Sequence, residues 1–133
     1  MVQVFPYSSL VTALAVLVYV VMILKVGSAR AKHNVPAPAM DGPPEFLRVF
    51  RVQMNTLEQL VFFLPSLWLF ATSWGDMLAA IIGIFWPIGR LLYARCYVID
   101  PKKRAIGFAI SFLPSAILML GALVGIFRRL VLQ

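Results

Sequence analysis

Arg48, Arg51, Asn55 and Glu58 follow one another at intervals of three, four and three residues. On a helix that spacing places two guanidiniums, an amide and a carboxylate along one face. Arg90, Tyr93 and Tyr97 repeat the arrangement later in the chain. Ionisable side chains at membrane depth are costly unless they turn into a bundle interior or a water-filled cleft. Spacing alone leaves two readings open. Arg51 and Glu58 neutralise each other or Arg90 as structural glue, or the two faces together form a polar site. Arg104 closes the run Lys102-Lys103-Arg104, which has the pattern of a juxtamembrane anchor. It also stands where a helix is expected to begin, and there a helix dipole and a guanidinium would add to favour an anion.

Other chemistry is excluded by composition. The chain has one cysteine, Cys96, and one histidine, His33. A lone cysteine forms no intrachain disulfide, and one His with one Cys supplies no zinc site, so no metal is expected. His33 lies in a polar loop, the wrong place for a Ser-His-Asp relay. Cys96 reads as a packing residue rather than a nucleophile.

The elements that must position the charged faces are helices in lipid. Of 133 residues, 62% are hydrophobic and 13% charged, against about 45–50% and about 25% in soluble domains. A core this small cannot hide the excess, so lipid must cover it. The fold class is therefore an all-α integral membrane protein, a bundle of four transmembrane helices in a single domain over residues 1–133. The net charge of +7 comes from basic residues at the ends of apolar runs, which fixes membrane orientation and leaves no strip for nucleic acid.

The helices are expected at about 5–32, 45–73, 77–98 and 103–129. Residues 1–24 carry no charge and end in Lys25, Arg30, Lys32 and His33. A cleaved signal peptide would instead start basic and have a shorter apolar stretch. Residues 34–44 hold four of the nine prolines and form a loop. The second helix, about 42 Å long, exceeds the ~30 Å hydrocarbon layer, so its polar first half should project on the loop side. Pro65, Pro87 and Pro114 fall inside helices and should mark kinks. Loops one and three carry Arg30, Lys32, Arg48, Lys102, Lys103 and Arg104, against Asp76, Arg128 and Arg129 opposite. The positive-inside rule then places both loops in the cytoplasm and both termini on the other side.

The stretch Gly42-Pro43-Pro44-Glu45-Phe46-Leu47-Arg48-Val49-Phe50-Arg51-Val52-Gln53-Met54-Asn55-Thr56-Leu57-Glu58 resembles a signature of the MAPEG family, the membrane-associated proteins in eicosanoid and glutathione metabolism. Arg90-x-x-Tyr93-x-x-x-Tyr97 and the later Arg104 continue the likeness. It is nearest to the leukotriene C synthase and microsomal glutathione transferase branch. The resemblance implies a four-helix subunit in a homotrimer, with glutathione as co-substrate bound between neighbouring subunits near the cytoplasmic leaflet. It further implies that Arg51, Asn55, Glu58, Arg90, Tyr93 and Tyr97 hold one end of the tripeptide, and Arg30 and Gln53 the other. Arg104 corresponds to the catalytic arginine that stabilises the thiolate. These residue types suit the ligand: arginine forks take carboxylates, Glu58 the ammonium, and Asn55 and the tyrosines give neutral hydrogen bonds.

Ala31, Gln59 and Ala116 stand where the leukotriene synthase has an arginine, a tyrosine and a tryptophan. The implied activity is therefore a broader glutathione transferase or glutathione-dependent lipid peroxidase, acting on a lipophilic electrophile from the membrane. A non-catalytic lipid-binding member of the same fold is the alternative. A small multidrug exporter is a weaker one, since such exporters need an acid in their first helix and residues 1–24 have none.

Overall fold

The computed structural model describes residues 4–133; residues 1–3 of the expected 1–133 domain lie outside the described residues. Among the described residues the regular structure is helical. Helix α1 spans Pro6–His33, α2 Pro44–Trp74, α3 Asp76–Gly83, α4 Phe85–Ile99 and α5 Ala105–Val131, with a 3-10 turn at Pro101–Arg104 leading into α5. Three stretches are long and apolar enough to cross a membrane: Pro6–His33, Asp76–Ile99 and Pro101–Val131.

The prolines explain where helices begin and where one breaks. Pro6 and Pro44 occupy first-turn positions, where a missing N–H loses nothing. Pro87 cannot donate to the carbonyl of Gly83, itself a weak helix former, and the third helix divides at Ile84 into α3 and α4. Helices α2 and α5 run through Pro65 and Pro114 without interruption. The turn between α2 and α3 is a single residue, Gly75, whose φ of 109° favours glycine.

Lipid offers no hydrophobic drive for helices to associate, so close packing must hold the bundle. Gly89 and Gly107 let the α4 and α5 backbones meet: a Cβ at Gly89 would stand 2.6 Å from the Ser111 nitrogen, and one at Gly107 would strike the Tyr93 backbone. The main core gathers Val11, Ala15, Phe63, Leu67, Trp86 and Leu118, with Phe63 and Trp86 stacked at 4.8 Å. Outward stripes at heptad spacing, Leu10-Leu17-Leu24 on α1 and Ile106-Leu113-Leu120-Phe127 on α5, stay exposed for lipid.

At the end away from the long loop, the Asp76 carboxylate accepts the backbone N–H groups of Tyr7 at 2.9 Å and Ser8 at 2.7 Å. It thus caps α1 from the start of α3 and fixes the two helix starts level with each other. Trp74 donates its indole N–H to the Gly121 carbonyl at 2.7 Å, and Arg129 donates to that of Thr72, closing this end around α5.

Candidate functional site

Helix α2 turns Val52, Thr56, Leu60 and Phe63 inward, which leaves Asn55 and Glu58 on its flank toward α4 and α5. Arg90 of α4 is wholly buried. Its Nε and Nη2 both donate to Thr56 Oγ1, at 3.2 and 3.0 Å, and its Nη1 donates to Ser111 Oγ at 3.4 Å. The Ser111 hydroxyl proton points to carbonyls of its own helix, Gly107 and Phe108, so its lone pairs are free for the guanidinium. The Tyr93 ring faces the guanidinium carbon at 3.9 Å, a favourable cation–π contact when desolvated. Asn55 Nδ2 donates to the Tyr93 hydroxyl at 2.7 Å. Arg90's hydrogen-bond partners among the described residues are thus neutral, and Glu58 does not serve as its counter-ion.

Beside this network lies a cavity of about 330 Å³ lined by Asn55, Glu58, Gln59, Arg90, Tyr93, Arg104 and Phe108. Arg90 and Tyr93 are buried at its floor, while Glu58 and Arg104 are exposed at its rim. Two guanidiniums against one carboxylate make it net positive, with the carboxylate at one edge. The Gln59 amide oxygen is buried there without a hydrogen-bond partner among the described residues.

Of the residues predicted from sequence, the fold brings Asn55, Glu58, Arg90, Tyr93 and Arg104 to this one cavity. The others lie elsewhere in the chain. Arg30 donates to the carbonyls of Val35 and Ala39, at 3.2 and 2.6 Å, and sits over the rings of Phe46 and Phe50. Gln53 faces α1 and donates to the Tyr19 hydroxyl at 2.9 Å. Arg51 is exposed, and Tyr97 packs half-buried against Tyr93 with ring centroids 5.5 Å apart. Arg48, first of the stripe, donates to the carbonyls of Val98 and Ile99 and so ties α2 to the end of α4.

Arg104 stands at the N-cap of α5, where a helix start is expected from the sequence. A 3-10 turn at Pro101–Arg104 precedes it, with the Asp100 carboxylate accepting the Lys102 N–H at 3.0 Å. Sequence reading passed over Thr56 and Ser111, the partners of Arg90, and Phe108 in the cavity wall. Ser111 carried one usable signal: it falls four residues after Gly107 and four before Ser115, a small-residue stripe that admits a neighbouring helix.

Fold and cavity define a class: an all-helical membrane protein with a charged cavity set among apolar helices. Residues 8–124 match the MAPEG family, and the chain belongs to that family. It is similar to an uncharacterised protein of Synechocystis sp., 51% identical over 93% of this chain and 90% of the other. It is 42% identical to microsomal glutathione S-transferase 2 of Homo sapiens, over 75% of this chain and 69% of that one. To leukotriene C4 synthase of Rattus norvegicus it is 34% identical, over 80% and 83%.

Proposed function

We propose that the chain is a membrane-bound glutathione transferase, with glutathione-dependent lipid peroxidase activity available to the same thiolate. The observation that carries this is the meeting of Glu58, Asn55, Arg90, Tyr93 and Arg104 in one cavity, the charge complement of a tripeptide with one ammonium, two carboxylates and a thiol. The relatives named for glutathione transfer and leukotriene C4 synthesis support it. Glu58 takes the ammonium. Arginine has five N–H donors, and three of Arg90's are directed to hydroxyls, leaving two for a ligand carboxylate. Asn55 and Tyr93 hydrogen-bond the peptide, and Gln59 Oε1 is placed to accept an N–H from it.

Arg104 is the catalytic residue of this reading. A thiol of pKa about 8.5 is only about 3% ionised at pH 7, and lowering that pKa by two units requires about 2.7 kcal/mol of anion stabilisation. A guanidinium beside the sulfur in a partly dry cavity is of the right size to provide it. The thiolate then attacks an electrophilic carbon of a lipophilic substrate, forming C–S as the leaving group departs with its electron pair. With a lipid hydroperoxide it attacks the distal oxygen instead, forming S–O as the O–O bond breaks and the lipid alkoxide takes a proton; a second glutathione then reduces the resulting sulfenic acid, giving the disulfide and water.

The positions of Arg30 and Gln53 away from the cavity support their use by a neighbouring subunit, so the working unit of this proposal is a homotrimer. Arg51 and Tyr97 complete the open side of each site. In the same proposal α2 crosses the bilayer as a fourth span, residues 1–133 form one domain, and loops one and three are cytoplasmic. Calorimetric titration of the purified protein with glutathione tests the reading. Saturable binding is expected, weakened by about 1.5–3 kcal/mol in Glu58→Gln, the range for a charged hydrogen bond. Equal affinity in wild type and variant, or no binding to folded wild type, would overturn it.

A further inference from the structure

A second concavity, of about 640 Å³, opens on the long-loop side between α1, the start of α2 and α4. Lys25, Lys32 and Arg95, all exposed, line it together with His33. Glu45 is the one carboxylate among the lining residues. It is separate from the glutathione cavity. On α4, Leu91, Ala94, Arg95 and Val98 point about a third of a turn away from Arg90, Tyr93 and Tyr97. Other cations at this end are committed to carbonyls of the chain, Arg30 to Val35 and Ala39, Arg48 to Val98 and Ile99.

The depth of these groups follows from the Asp76 cap. Ser8 and Asp76 are hydrogen-bonded, so distances counted along α1 and along α3–α4 share an origin. Lys25 lies 17 residues past Ser8, about 26 Å, and Arg95 lies 19 past Asp76, about 28 Å. Both therefore stand at the same level, close to one ~30 Å hydrocarbon thickness from the Asp76 cap, and lipid phosphates lie in the headgroup layer just outside that thickness. On the membrane side of this pair, Val21, Leu24, Ile88 and Leu91 are exposed apolar side chains. Lys32 stands about 10 Å further out along α1. The groove thus offers two cations at one level and a third, Lys32, further out, against one carboxylate, above a greasy track.

We propose that this groove binds the phosphodiester headgroup of an anionic phospholipid of the surrounding bilayer, with Lys25, Lys32 and Arg95 as its cationic contacts and the acyl chains along α1 and α4. Basic pockets between membrane helices recognise anionic headgroups in this way, and each cation near the surface changes affinity about fivefold. Single basic residues that only fix orientation need no shared concavity; cations from two helices, α1 and α4, meeting in one do more than the positive-inside rule asks.

Native mass spectrometry of the protein purified in neutral detergent tests this with two added lipids, dioleoyl phosphatidylglycerol and dioleoyl phosphatidylcholine. One phosphatidylglycerol per chain should be retained in preference to phosphatidylcholine. The triple variant Lys25→Gln/Lys32→Gln/Arg95→Gln should weaken that retention about a hundredfold. Lys102→Gln/Lys103→Gln removes cations from the same side but outside the groove and should leave retention within twofold. Glu45→Gln, which disturbs no cation, should tighten it severalfold. Four results overturn the proposal: equal retention of the two lipids, equal losses in the triple and the control variants, no change in Glu45→Gln, or displacement of the lipid by millimolar inorganic phosphate.

Discussion

Two arginines share the cavity in different settings. Arg90 is fully buried, its guanidinium held by Thr56, Ser111 and the Tyr93 ring, whereas Arg104 is exposed at the rim. If Arg104 acts on the reacting sulfur, Arg104→Ala should lower turnover far more than glutathione affinity. Arg104→Lys should recover part of the loss, because an ammonium keeps the charge without the planar fork. Steady-state kinetics beside calorimetry on the same preparation separate the two effects; equal losses in both would reduce Arg104 to a binding residue. Thr56→Val makes a contrasting prediction. It leaves Nε and Nη2 of a buried arginine without their acceptor, so thermal unfolding should show a loss of about 1–3 kcal/mol, with affinity falling as Arg90 shifts. Helical spacing put Asn55 and Glu58 on one face and Arg90 and Tyr93 on another, and left open whether the two faces form a site or structural glue. It could not reveal Thr56 or Ser111, because a hydroxyl in an apolar helix looks the same whether it packs, bonds its own backbone or holds an arginine.

At the scale of elements, the site depends on how closely α4 approaches α5. Gly107 stands against the Tyr93 backbone, and Gly89 against that of Ser111. Gly107→Ala should therefore push α5 from α4 and enlarge the cavity, weakening glutathione at least tenfold while the spans still insert. Unchanged affinity would show that the helices tolerate the shift. Asp76 gives a second test, since its carboxylate caps α1 across 69 residues of sequence. Asp76→Ala should cost about 0.5–2 kcal/mol, as for other helix caps, read as a lower unfolding midpoint with turnover per folded molecule preserved. In sequence Asp76 was only a charge in a short turn, because a cap supplied from another helix leaves no local signature. Helix existence was plain from apolar runs and their charged ends. Which proline would break its helix was not, since Pro65, Pro87 and Pro114 look alike until the carbonyl each leaves unpaired is matched with its local packing.

At the scale of the whole molecule, the cavity of one chain gathers only part of the residue set the family resemblance implies. Arg30 and Gln53 are turned toward the first loop and α1, and in the proposed reading a second copy completes the site. Sedimentation of the detergent-solubilised protein should give a trimer, and Gln53→Ala should weaken glutathione binding without dissociating it. A monodisperse monomer that binds glutathione as tightly as the proposal requires would remove the shared site. Assembly was beyond the reach of helical spacing because residues of two chains have no common register. The central claim, that the cavity binds glutathione and ionises its thiol, is tested most directly by ultraviolet thiolate difference absorbance on the intact protein titrated with glutathione across pH. The expected result is a saturable thiolate band whose midpoint lies well below the free-thiol value of about 8.5, returning toward that value in Arg104→Ala. A thiolate midpoint at the free value in saturated, folded wild-type protein would contradict the account.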